Sequence, residues 1–219
     1  MPGTITDDIE IIDAGRGGGT DVPSGGDDDG DGHGGGGLPA IPQRAYFTAI
    51  QLALAGIVMF FMALTSSFLV RKGLGDDWVS FALPRILWAN TLVLLASSGA
   101  IQLARARLRS GDTEGFRRWW AITTALGALF LAGQFAAWRQ LAAQGVFLAT
   151  NPSSSFFYLL TALHGLHLLG GIVALLYVTY RPWQRSRITQ STAADLVSIY
   201  WHFMDGLWIF LFALLYLGR

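Results

Sequence analysis

Five stretches of this chain are long and apolar enough to cross a lipid bilayer, and that repetition rules out most folds. A hydrocarbon core about 30 Å thick needs roughly 20 predominantly apolar residues of helix. Tyr46–Val70, Ile86–Ala104, Trp119–Trp138, Phe156–Tyr180 and Leu196–Leu217 supply that length, separated by short polar connections. Without water in the bilayer, every backbone N–H and C=O of such a span must be satisfied within it, which makes each span a helix. Connections this short join antiparallel neighbours. The expected fold is therefore all-α, a polytopic membrane helix bundle with five transmembrane helices over residues 44–219. Turn signals agree with the boundaries. Arg71-Lys72-Gly73 closes the first span, Leu83-Pro84 opens the second, Asn151-Pro152 precedes the fourth and Arg181-Pro182 ends it.

Composition fits that reading, with 52% hydrophobic residues, only 14% charged and a mean hydropathy of +0.43, well away from an ordinary soluble domain. Nine of the 15 acidic residues precede residue 32, so the formal charge of zero hides two unlike regions. Residues 1–43 are Gly- and Asp-rich, with stretches such as GRGGGTDVPSGGDDDGDGHGGGG. They hold too little apolar surface to offset the entropy of ordering, and a disordered N-terminal tail is expected. The tail has neither the basic start nor the apolar run of a secretory signal. His33 with Asp27, Asp28, Asp29 and Asp31 amounts to scattered ligands on a flexible chain, a weak cation site at best. The chain has no cysteine, which excludes disulfides, thiolate nucleophiles, iron–sulfur clusters and thiolate-bound haem or copper.

Basic residues set the orientation, because positively charged loops stay in the cytoplasm. Five alternating spans put Arg44, Arg105, Arg107, Arg109, Arg117, Arg118, Arg181, Arg185 and Arg187 on one side. Arg71, Lys72, Arg85, Arg139 and Arg219 fall on the other. The amino terminus is expected in the cytoplasm and the carboxyl terminus outside, in a bacterial inner membrane. Trp78, Trp119, Trp120, Trp138 and Trp183 fall near span edges, where an interfacial aromatic belt belongs.

Ionisable groups inside a span are costly unless paired or turned toward protein. His164 and His167 stand at i and i+3, on one face of the fourth helix, and His202 and Asp205 repeat that spacing on the fifth. The second pair is close enough in register for an imidazole–carboxylate hydrogen bond. Three readings follow. The imidazoles could ligate haem or a metal, although three membrane histidines are too few for a haem–copper oxygen-reducing centre. They could relay protons, although the first three spans offer Gln51, Asn90 and Gln134 and no acidic residue to extend a row. Or they could hold the helices in fixed rotation by hydrogen bonds, the reading that asks least. Ser66, Ser67, Ser97, Ser98, Gly165, Gly170 and Gly171 read as small residues that let helices approach closely.

At these residues the sequence resembles subunit III of the haem–copper cytochrome c oxidases. FYLLTALHGLHLLGG from Phe157 and YWHFMDGLWIFLFALLYL from Tyr200 resemble the family's two signature helices, in order and spacing. LPRILWANTLVLLASS and GALFLAGQFAAW resemble two further family helices, so the likeness covers nearly everything from residue 46 to 217. It implies a subunit with no active site and no cofactor of its own, in an oxidoreductase and translocase complex. Haem and copper would sit in partner subunits. The partners it implies are catalytic subunit I, subunit II and membrane lipids including bound phospholipid, with no nucleic acid. It also implies a structural interhelical polar cluster of His164, His167, Trp201, His202, Asp205 and Trp208.

Many members of that family have seven helices, and this chain matches the last five. Ile57 and Ala137 stand where the family often has buried glutamates, so no role of those carboxylates carries over. Alternative readings are a similar accessory protein of a quinol oxidase or nitric oxide reductase, or a stand-alone haem- or metal-binding membrane protein.

Overall fold

The computed structural model describes residues 43–74, 78, 83–180 and 187–218. The tail expected to be disordered, and Arg181 and Arg185 of the basic loop, lie outside the described residues. Five helices make up the architecture: α1 Gln43–Leu74, α2 Ile86–Arg109, α3 Thr113–Ala143, α4 Pro152–Tyr180 and α5 Arg187–Leu217. All five have the length and apolar content of a membrane span.

The helices outrun the spans read from hydropathy, and at α3 and α4 a capping side chain rather than the start of the apolar run sets the beginning. Ser110 to Asp112 is the whole connection between α2 and α3, so most of the Arg105–Arg118 segment expected as a loop is helix. Gly111 takes φ +80 just past the end of α2, a left-handed conformation that a side chain disfavours. Asp112 then caps α3, its carboxylate accepting the Gly115 N–H at 2.8 Å. Pro152 is the first residue of α4 rather than a residue before it. That position suits proline, whose missing N–H would be unsatisfied there in any residue. Asn151 caps the same helix, accepting the Ser154 N–H at 2.8 Å.

Helices α2, α3, α4 and α5 form a closed ring in which each packs on the next and α5 returns to α2. The core inside the ring is aromatic, with Trp120, Phe130, Phe157, Trp201 and Trp208 almost fully buried. Trp201 reaches from α5 across the ring. A Cβ added at Gly127 of α3 would come within 2.6 Å of its Cη2, and one added at Gly171 of α4 within 3.3 Å of its Cε3. Helix α1 stands outside the ring and, among the described residues, packs on α4 and α5 and on no other helix. Only 6% of its most apolar window is buried, against 33 to 39% in the others. Phe61 and Phe68 are its anchors, both fully covered. Phe61 meets His167, and Phe68 meets Phe156 edge-on at 5.6 Å.

Candidate functional site

Chemistry-bearing side chains concentrate where α5 meets α2. The two helices run antiparallel, and polar residues on facing sides meet at regular steps. Trp208 donates its indole N–H to Thr91 Oγ1 at 3.0 Å. Trp201 donates to Ser97 Oγ at 3.0 Å. His202 engages both ring nitrogens, Nδ1 with Ser98 Oγ and Nε2 with Gln102 Nε2, each at 2.6 Å. Arg105 donates Nε at 2.9 Å and Nη2 at 2.6 Å to Asp195 Oδ1. An amide nitrogen can only donate, so His202 Nε2 accepts from Gln102 and Nδ1 carries the hydrogen that goes to Ser98. A neutral imidazole satisfies both ends of this string.

The hydrogen bond expected between His202 and Asp205 is absent. Both imidazole nitrogens already have partners on α2, and the Asp205 carboxyl turns inward, 4% exposed. The Ser98 hydroxyl lies close to it, but among the described residues no hydrogen bond of sound geometry reaches either oxygen. Ser97 and Ser98 are more than small residues permitting close approach, since each bonds an α5 side chain.

The two histidines of α4 part company although three residues separate them. His164 is fully buried with its ring against Trp208, centroids 5.1 Å apart, and edge-on to Phe130 at 6.0 Å. His167 turns toward α1, its Nδ1 donating to the Leu163 carbonyl at 2.8 Å and its ring against Phe60 and Phe61. Between α4 and α5 the Tyr200 hydroxyl donates to the His167 carbonyl oxygen at 2.8 Å. The six residues expected as one polar cluster thus divide. Trp201, His202 and Trp208 hydrogen-bond α2, His164 packs among aromatic rings, His167 faces α1, and Asp205 lies buried beside Ser98. Among the described residues no three His, Cys, Asp or Glu side chains gather closely enough to hold a metal ion.

Sequence reasoning missed Thr91, Gln102, Arg105 and Asp195. The signal was present. Ser98, Gln102 and Arg105 step along one face of α2 at i, i+4 and i+7, and Asp195 and His202 step along α5 at i and i+7. Ring closure adds further polar ties. Asn90 of α2 donates to the Phe130 carbonyl of α3 at 3.3 Å, and Trp138 of α3 donates to Thr161 of α4 at 3.1 Å. Ile57 packs against the core and Ala137 is completely buried, so apolar contacts occupy both positions where the resemblance has glutamates.

Comparison with known proteins places this architecture. The family described as Cytochrome c oxidase subunit III matches residues 46–218. A probable cytochrome c oxidase subunit 3 from Nocardia farcinica (strain IFM 10152) is 36% identical over 177 residues, 76% of this chain and 84% of that protein. The cytochrome c oxidase subunit 3 of Thermostichus vulcanus is 35% identical over 167 residues, covering 73% and 80% respectively. That of Synechocystis sp. (strain ATCC 27184 / PCC 6803 / Kazusa) is 32% identical over 180 residues, 76% of each chain.

Proposed function

The chain belongs to the cytochrome c oxidase subunit III family, and from that membership we propose that it is a non-redox subunit that packs against and stabilises catalytic subunit I of a respiratory haem–copper oxidase. Haem and copper then belong to partner subunits, and electron transfer and proton translocation proceed in them. This chain supplies a helical scaffold. The single observation that carries the reading is the dispersal of the three membrane imidazoles. His164 meets aromatic rings, His167 meets α1 and a backbone carbonyl, and His202 has both nitrogens engaged by α2. Side chains arranged in this way lock helix rotation.

The placement we propose is a bacterial plasma membrane, with the α2–α3 turn and its Arg105, Arg107, Arg109, Arg117 and Arg118 in the cytoplasm. By alternation the amino terminus shares that side and the carboxyl terminus is external. Between α1 and α5, Val58, Phe61, Met62, Phe203, Leu207 and Phe210 line an open apolar groove of about 300 Å³. Its chemistry suits the acyl chain of a phospholipid.

Affinity purification from native membranes tests the function. A tag on this chain is expected to bring down a haem- and copper-bearing membrane complex, with no Soret absorption from the chain once separated. Recovery of the chain alone, carrying haem, would overturn the proposal.

A further inference from the structure

The polar string at the α2–α5 seam opens to the outside of the ring. Gln102 is exposed and His202 half-buried, whereas Ser98, behind them, is partly covered and Asp205 buried. If the Arg105–Asp195 pair marks the edge of the membrane, His202 lies seven residues further along α5, roughly 10 Å into it at 1.5 Å per residue. Ionisable side chains at that depth face protein or a water-filled cavity rather than lipid. The outward surfaces of α3 and α4 are different in kind, made of residues such as Leu129, Phe135, Leu166 and Val173.

Deeper than the Arg105–Asp195 pair, the hydrogen-bonding capacity left on the outer side of the string is that of a donor. Both imidazole nitrogens are used. The Gln102 carbonyl oxygen accepts from Arg105 Nη1 at 3.5 Å. What remains to point outward around His202 is the second amide hydrogen of Gln102, a donor, while the spare guanidinium hydrogens of Arg105 and the Oδ2 acceptor of Asp195 lie at the edge itself, within reach of headgroups and water. A bilayer interior offers that amide nothing. A protein helix with oxygen acceptors does.

Building on the proposed oxidase role, we propose that the α2–α5 edge around Gln102 and His202 is the face by which this subunit docks in the membrane, against a transmembrane segment of the catalytic partner that presents hydroxyl, carbonyl or carboxylate oxygens. The outer surface of α3 and α4 faces lipid. Hydrogen-bond complementarity selects this edge, because it is where an apolar covering would leave the Gln102 amide unsatisfied beside His202.

The natural absence of cysteine makes the test direct. Single substitutions Leu95→Cys and Ile199→Cys flank the string at apolar, exposed positions, and Leu129→Cys and Leu166→Cys sit on the outer faces of α3 and α4. Each variant, in membranes of cells making the full oxidase, is modified with benzophenone maleimide, irradiated, and its adducts mapped by mass spectrometry. Leu95→Cys and Ile199→Cys are expected to give several-fold more adduct to the haem-bearing partner than the other two. The mapped segment should carry acceptor oxygens. Adducts mainly from Leu129→Cys or Leu166→Cys, adducts to a wholly apolar segment, or none from any position while the partner co-purifies would overturn the docking edge and leave the oxidase role standing. Failure of any haem-bearing partner to co-purify would instead sink the oxidase role, and the docking edge with it.

Discussion

The indole of Trp201 fills the space that a side chain at Gly127 would need, with Cη2 only 2.6 Å from where that Cβ would be. One residue on α5 thereby fixes its distance to α3, while its N–H fixes the rotation of α5 against Ser97 of α2.

Gly127→Ala should therefore destabilise the subunit, since overpacking a tightly filled interior costs typically about 1–3 kcal/mol. Gly99→Ala is the matched control, because nothing lies within 4 Å of its added methyl. Thermal unfolding in detergent should separate the two. Equal midpoints would mean that the ring is looser at Trp201 than the geometry requires.

Ser98→Ala and His202→Ala should be coupled. Measured hydrogen bonds between membrane helices contribute about 0.6 kcal/mol on average. A double-mutant cycle on unfolding free energy should return a positive interaction of that order. Strict additivity would show that the 2.6 Å contact contributes nothing to stability.

Asp205→Asn should leave the unfolding midpoint of the subunit unchanged or raised. The carboxyl makes no geometrically sound hydrogen bond among the described residues, and an amide of the same shape carries no charge to desolvate, so the replacement breaks no ion pair. His202→Ala should do the opposite, stranding the polar atoms of Ser98 and Gln102 at about 1–3 kcal/mol. Comparable losses from both variants would restore an interaction between the two residues.

Asp195→Ala should cost under about 1 kcal/mol, because both partners of the Arg105 ion pair remain partly exposed and such pairs are screened. The loss should shrink further as salt is raised. A loss of several kcal/mol, insensitive to salt, would place the pair in a far drier setting.

Five helices, their order and their centres were legible because each span repeats the same apolar length. Their ends were not, since Asp112 and Asn151 extend helices by capping beyond the apolar runs that hydropathy measures. Within the polar set, the spacing of His164 and His167 put them on one face, and that held only loosely. A separation of three residues leaves an angular offset large enough for one ring to enter the core while the other meets α1. His202 and Asp205 show the stronger limit. Register on one helix says which groups can meet, while Ser98 and Gln102 on a neighbouring helix decide which do. No single-helix pattern contains that choice.

Helix α1 has a consequence for biosynthesis. It is the first of the five spans to be translated, yet among the described residues the helices of this chain that it packs on are the two made last. Until those emerge it has no such neighbour within its own chain, and as the most apolar of the five spans it is suited to that wait.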